Sequence, residues 1–190
     1  MINDVLVMVK DKLNAYCRLK TGSAEDKVVF PDGSNLDPAK FPNNSIVPML
    51  VNFEEEKAIR SANRFQGVVR NGIKTEGNPS IPLNLVVLFV VKFSDYEQTM
   101  KFLSLIIKFF QSNRVHDRYN TPALNPEIGT LTMELLALPI NQQNELWSSL
   151  RAAYQPSVLY KISMLTFHDS DSIAVAANEV SGIETKFETI

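Results

Sequence analysis

Apolar positions along the chain recur with two different periods. At the start, Val5, Leu6, Val9, Leu13 and Tyr16 fall at three- and four-residue spacings, the stripe that one face of an α-helix turns toward a core. Asn3 is placed to cap this helix, Asp4 suits the positive end of its dipole, and Arg18, Lys20 and Gly22 form a stop. A loop rich in Asp, Pro, Gly and Asn follows from Pro31 to Asn44, interrupted by Leu36 and Phe41. It leads into Ile46-Val47-Pro48-Met49-Leu50-Val51-Asn52-Phe53, which reads as a strand. Pro48 has no N–H to donate, so this strand is expected at a sheet edge or pairing only after that residue.

Between Arg60 and Ser80 the chain turns polar, with Gly67, Gly72, Gly77 and Pro79 placed as turn residues, as in a long hairpin excursion or a mobile loop ordered on assembly. Leu83 to Phe93 is nearly unbroken Val, Leu and Phe, which suits a central strand covered on both faces. Ser94-Asp95-Tyr96-Glu97 has the form of a capping box opening a helix that runs to about Ser112. Its stripe is Tyr96, Met100, Leu103, Ile107 and Phe110, but Phe102, Leu105, Ile106 and Phe109 extend the apolar surface well beyond it. Only Lys101, Ser104, Lys108 and Gln111 remain as a polar strip, so the helix needs cover on two sides.

After a proline-containing connection from Asn113 to Ile128, Thr130 to Leu138 reads as a strand closed by Pro139. Asn141 is placed to cap a short helix through Tyr154, with Leu146, Trp147, Leu150 and Tyr154 inward and Pro156 barring continuation. Val158 to Phe167 is the last strand, with Tyr160, Ile162 and Met164 alternating against Lys161 and Ser163. This order predicts an α+β domain over residues 1–168: a mainly antiparallel sheet of about four strands with the helices packed on one face. Residues 169–190 read as a tail in which Val175, Val180, Ile183 and Phe187 are spread among polar residues. Such a tail cannot form a core of its own and is expected to dock on a neighbouring subunit as an added strand.

Composition narrows the function. The chain has 190 residues, the size of one domain, and its 19 basic residues against 21 acidic ones leave no excess to neutralise phosphates, which argues against nucleic acid as a partner. A single cysteine, Cys17, excludes an internal disulfide and a cysteine-rich metal site. The longest apolar run, Leu85 to Val91, is far short of the ~20 residues of a membrane-spanning helix. The opening residues have neither a cationic region nor a continuous apolar one, so the expectation is cytoplasmic synthesis and assembly without a signal peptide or membrane insertion.

No phosphate-binding loop, dinucleotide fingerprint or nucleophile elbow occurs, and no catalytic, cofactor-binding or metal residues are assigned. His116 stands far from His168 and reads as a surface histidine; Cys17, near the negative end of the first helix, reads as an inert thiol. Glu54, Glu55, Glu56 and Lys57 concentrate charge after the first strand. They are either a solvated strand end that discourages indiscriminate pairing or a docking patch for basic residues of a neighbour. Gln142, Gln143 and Asn144 open the third predicted helix one turn before Trp147. They read as local capping beside a core tryptophan, as a contact site, or as both.

An ordered set of segments carries a resemblance: Ile2-Asn3-Asp4-Val5-Leu6 with Leu13-Asn14-Ala15-Tyr16; Pro42-Asn43-Asn44-Ser45 running into Leu50-Val51-Asn52-Phe53-Glu54-Glu55-Glu56; Phe93-Ser94-Asp95-Tyr96-Glu97; Ile107-Lys108-Phe109-Phe110-Gln111; Gln142-Gln143-Asn144-Glu145-Leu146-Trp147; and Tyr154-Gln155-Pro156-Ser157-Val158 with Tyr160-Lys161 and Met164-Leu165. In order and spacing these resemble the N-terminal domain of the cap, or tail-terminator, proteins of extracellular contractile injection systems. The resemblance implies a tail-terminator-like fold and a structural subunit assembled as a hexameric ring on the inner tube and sheath of a phage-tail-like particle, released or host-anchored. It implies neither catalysis nor a cofactor, and it leaves open an outermost cap or an adaptor ring that contacts a second cap subunit. Two other readings stand beside it. One is a small-molecule enzyme whose site is built from the loops at Arg60 to Ser80 and Asn113 to Ile128; the other is a monomeric assembly chaperone.

Overall fold

The computed structural model describes residues 1–35, 39–56, 68–70, 73–75, 81–122, 124–125 and 128–167. The elements are α1 (Ile2–Thr21), β1 (Ser45–Glu55), β2 (Val68–Arg70), β3 (Ile73–Thr75), β4 (Ile81–Lys92), α2 (Tyr96–Ser112), β5 (Val115–His116), β6 (Leu131–Leu136), α3 (Ile140–Ser149) and β7 (Ser157–Phe167). Strands β1, β4, β7, β6 and β5 form a five-stranded sheet in that order, with every neighbouring pair antiparallel. The fifth strand is the two-residue β5, too short to leave a periodic signal inside its polar connection. Strands β2 and β3 pair as a separate hairpin within the expected polar excursion.

β1 is an outer strand, and Pro48, opposite Phe89 of β4, sits where the missing N–H is tolerated. Val28 adds a single parallel bridge at Ile46 on the free side of β1. β4 lies between β1 and β7, and its residues from Asn84 to Val91 are buried. Its odd-numbered side chains, Leu85, Val87, Phe89 and Val91, join α1 and α2 in one core. Val86, Leu88 and Val90 join Trp147 of α3 in another. The sheet is therefore covered on both faces, as an unbroken apolar strand requires. The helices are divided between those faces, with α3 opposite α1 and α2, where the sequence pattern placed all three together.

Four local readings shift. Asn3 lies within α1, which begins at Ile2 without a side-chain cap, while Asp4 keeps its place in the first turn and Gly22 closes the helix at φ 72° with its N–H on the Arg18 carbonyl. The α2 cap is Asp95, whose carboxylate accepts from the Glu97 and Gln98 amides; Ser94 contacts Asn44 instead. Thr99, Phe102, Ile106, Phe109 and Phe110 form the buried stripe of α2, while Tyr96 is 72% exposed and Ile107 sits at the rim. The helix is rotated toward its aromatic side chains, which remove more apolar area from water than the stripe expected. α3 runs only to Ser149, and Arg151 at φ 49° turns the chain before Pro156 is reached. Its N-cap is Pro139, ahead of Asn141. Tyr154 is 59% exposed, touching Trp147 at a ring-centroid distance of 5.6 Å.

Candidate interaction surfaces

The acidic group ends the outer strand. Glu54 and Glu55 are exposed opposite Asn84 and Leu83, where β1 runs past the edge of the packed core. Glu56 is held differently: its amide donates to the Pro82 carbonyl at 2.9 Å, and its carboxylate accepts from Asn84 Nδ2 at 2.8 Å. Asn84 is buried, so this carboxylate satisfies a core donor and has a folding role. Lys57 lies outside the described residues.

The amide-rich group divides along α3. Gln142 and Asn144 are exposed, while half-buried Gln143 and buried Trp147, one turn apart, line the same groove. That groove, about 210 Å³, lies between α3 and the β6–β7 pair and is also lined by Leu136, Leu138, Leu146 and Val158. The N-cap of α3, Pro139, makes no side-chain cap hydrogen bond. Trp147 is the core residue expected, packed edge-on to Phe41 at 5.9 Å. Among the described residues its buried indole N–H has no hydrogen-bond partner. The loop beneath it is tied to α3 by the Ala39 amide on the Leu150 carbonyl at 3.0 Å. The structure thus brings Gln143 and Trp147 together and leaves the acidic group elsewhere, at the end of an outer strand.

A second groove, about 690 Å³, opens on the other face between the end of α2 and β6, lined by Ile107, Phe110, Arg114, Met133, Leu135 and Tyr160 among others. Leu135 pairs with Tyr160 of β7 and is 54% exposed, and Ile107 is 37% exposed across from it. Here the α1–α2 core runs out to solvent. Sequence reading missed this site because Leu135 and Ile107 each belong to a regular apolar pattern, and only their position at the end of the core leaves them uncovered.

His116, expected at the surface, is 2% exposed. It sits in β5 with its Nδ1 3.4 Å from Lys12 Nζ and 3.4 Å from Thr121 Oγ1. Lys12 reaches over from α1 to donate to Thr121 Oγ1 at 2.6 Å and to the Asn120 carbonyl at 3.2 Å. Burial, and then the Lys12 ammonium, push His116 down to about 4, against the opposing pull of a backbone hydrogen bond at Asn113 and the Asp117 carboxylate. Burial also lowers Lys12, partly offset by Asp117. This cluster ties the β5 loop to α1. Cys17 is buried, and burial raises its thiol to about 11, so the inert thiol stands. Among the described residues no group of three or more His, Cys, Asp and Glu side chains is placed to hold a metal ion. No helix among them is long and apolar enough to cross a membrane.

The sequence matches the Pvc16 N-terminal domain family over residues 4–180. The chain belongs to that family. Among solved structures, the fold is similar to the sheath/tube terminator of an extracellular contractile injection system, PVC, in its extended state. The TM-score is 0.61 at 17% identity, and the match covers 100% of this chain and 64% of that one. It is also similar to the anti-feeding prophage cap, a tube-terminating cap, with a TM-score of 0.54 at 13% identity over 96% of this chain and 60% of that one. The chain therefore spans under two thirds of the length of both structures. No curated protein matches the sequence significantly. The family is the one that the ordered segments resemble, and the α+β antiparallel fold is common to this chain and both structures.

Proposed function

We propose that this protein is a structural subunit that assembles into a ring, a hexamer, and terminates the tube and sheath of a contractile injection particle. The observation that carries the reading is membership of the Pvc16 N-terminal domain family across residues 4–180. The shared fold of the two terminating caps supports it. Stacked identical rings present the same surface after each addition, so growth stops only when a different subunit matches the last ring on one side and offers no equivalent surface on the other. A domain with uncovered apolar ends and a charged strand tip provides unlike surfaces for such contacts. The role calls for no catalysis and no cofactor, and its partners are further copies of the chain, the inner tube, the sheath and a second cap subunit. The particle is put together in the cytoplasm.

The test is a strain that makes the particle without this chain. Electron microscopy is expected to show tubes and sheaths of variable length or particles that fall apart, with complementation restoring uniform ends. Particles of normal length with intact ends and full contraction in that strain would overturn the reading.

A further inference from the structure

Among the described residues, β6 has an open edge. β5 pairs with it only at Leu131 and Thr132, followed by the Met133 amide on the Arg114 carbonyl, so Glu134 to Leu136 have no strand on that side among the described residues. The same stretch borders the groove of about 690 Å³ between α2 and β6. Leu135 and Ile107 stand at its rim, 54% and 37% exposed. An unpaired edge beside uncovered apolar side chains calls for one kind of occupant, an extended segment with apolar residues at every second position.

The chain contains such a segment outside the described residues. In Ile183-Glu184-Thr185-Lys186-Phe187-Glu188-Thr189-Ile190, one face of an extended strand carries Ile183, Thr185, Phe187 and Thr189, and the other carries Glu184, Lys186 and Glu188 before Ile190. β-branched and aromatic residues dominate, as strands favour. We propose that residues 183–190 of an adjoining copy add as a strand to the open edge of β6, with Ile183 and Phe187 covering the groove between α2 and β6.

The donor is assigned to a neighbour because a closed head-to-tail ring needs two unlike surfaces that meet between copies, and the segment and the edge supply them. β7 ends at Phe167, opposite Ile81, seven residues past Tyr160 or about 23 Å along the strand from the groove. β5 and its following loop, tied to α1 through Lys12, occupy the sheet edge between that end and Glu134. A donor segment leaving one end of the sheet and an acceptor edge at the other are the two unlike surfaces that a head-to-tail ring contact needs. The inference rests on the ring reading and adds which parts of the chain form the contact.

The experiment uses the full chain with Cys17→Ser, which removes the only native cysteine. Leu135→Cys and Phe187→Cys are made singly, co-assembled by mixing, and mildly oxidised, while native mass spectrometry reports the oligomer. Disulfide-linked dimers are expected in the mixture at several times the level in either variant alone, Ile183→Lys added to the Phe187→Cys chain should abolish them, and Ile183→Lys with Phe187→Lys in an otherwise native chain should abolish the ring while circular dichroism is unchanged. A ring without linked dimers overturns the docking alone. A double variant, Leu135→Cys with Phe187→Cys, that links only within one copy also overturns it. A chain that stays monomeric removes the ring reading and the docking with it.

Discussion

At the scale of single residues, His116 makes the most distinctive commitment. An isolated histidine in a polar connection carries no pattern that reveals its burial, and the two-residue β5 that buries it is itself beyond the reach of periodicity. Inside, it is neutral: burial and Lys12 hold its folded pKa near 4, below the ordinary value of about 6.5 for an unfolded chain. The facing charges are the Lys12 ammonium on α1, which disfavours a second positive charge, and Asp117 in the adjoining loop, which only partly opposes it. Between pH 6.5 and 4 the unfolded chain therefore binds a proton that the folded chain refuses, and stability falls as pH falls through that window. The upper limit of the effect is about 3 kcal/mol, reached near pH 4. Denaturant titrations of the wild type and His116→Gln at pH 7.5, 6 and 5 should show a shallower loss for the variant, whatever its stability at neutral pH. Parallel slopes would mean that His116 is not the group responsible.

At the scale of elements, the two candidate caps of α2 can be separated. Asp95 accepts from two orphan amides, at 3.2 Å each from Glu97 and Gln98, whereas the Ser94 hydroxyl approaches Asn44 at 3.5 Å. Asp95→Ala should cost about 1 kcal/mol in thermal or chemical denaturation, and Ser94→Ala no more than a few tenths. The reverse order would restore the capping box read from the sequence. The error was one residue, and it shows what was legible. Element types followed from period and composition: the β4 run, the alternating start of β6, the polar strip of α2 and the Gly22 stop all stand where the pattern put them. Boundaries and rotations did not, because Ser94 and Asp95 are both good caps and because α2 is apolar over most of its circumference. Which face each helix covers is decided by chain connections in space, and no spacing within α3 records that it packs opposite α1 and α2. Of the candidate contact residues, Trp147 was legible as core, while the division of Gln143 from Gln142 and Asn144 appears only once α3 is seated on the sheet. The apolar excess of α2 was legible as a need for cover on two sides, but the place where that cover stops, at Ile107 and Leu135, was not.

At the scale of the whole molecule, the acidic tip of β1 provides a test of the terminator reading that leaves the fold intact. Its three glutamates are unequal. Glu56 satisfies buried Asn84, so reversing it disturbs the β1–β4 pairing as well as any partner. Glu54 is exposed where β1 has left the core, so Glu54→Lys should change stability by no more than about 0.5 kcal/mol. If this tip meets basic residues of the tube or sheath, the reversal turns an attractive contact into a repulsive one and lowers the fraction of particles with intact ends. Charge contacts at an interface set orientation and encounter more than affinity, so the defect should be partial. Such contacts are also screened, with a Debye length of about 30 Å at 0.01 M salt and about 8 Å at 0.15 M. Particles assembled from Glu54→Lys should therefore be most defective at low ionic strength and recover as salt is raised. Glu54→Gln, which removes the attraction without adding repulsion, should fall between the variant and the wild type. Counting intact ends by electron microscopy across a salt series decides the matter: a Glu54→Lys particle population indistinguishable from wild type at low salt would leave the β1 tip a solvated strand end and move the tube and sheath contacts to another surface of the domain.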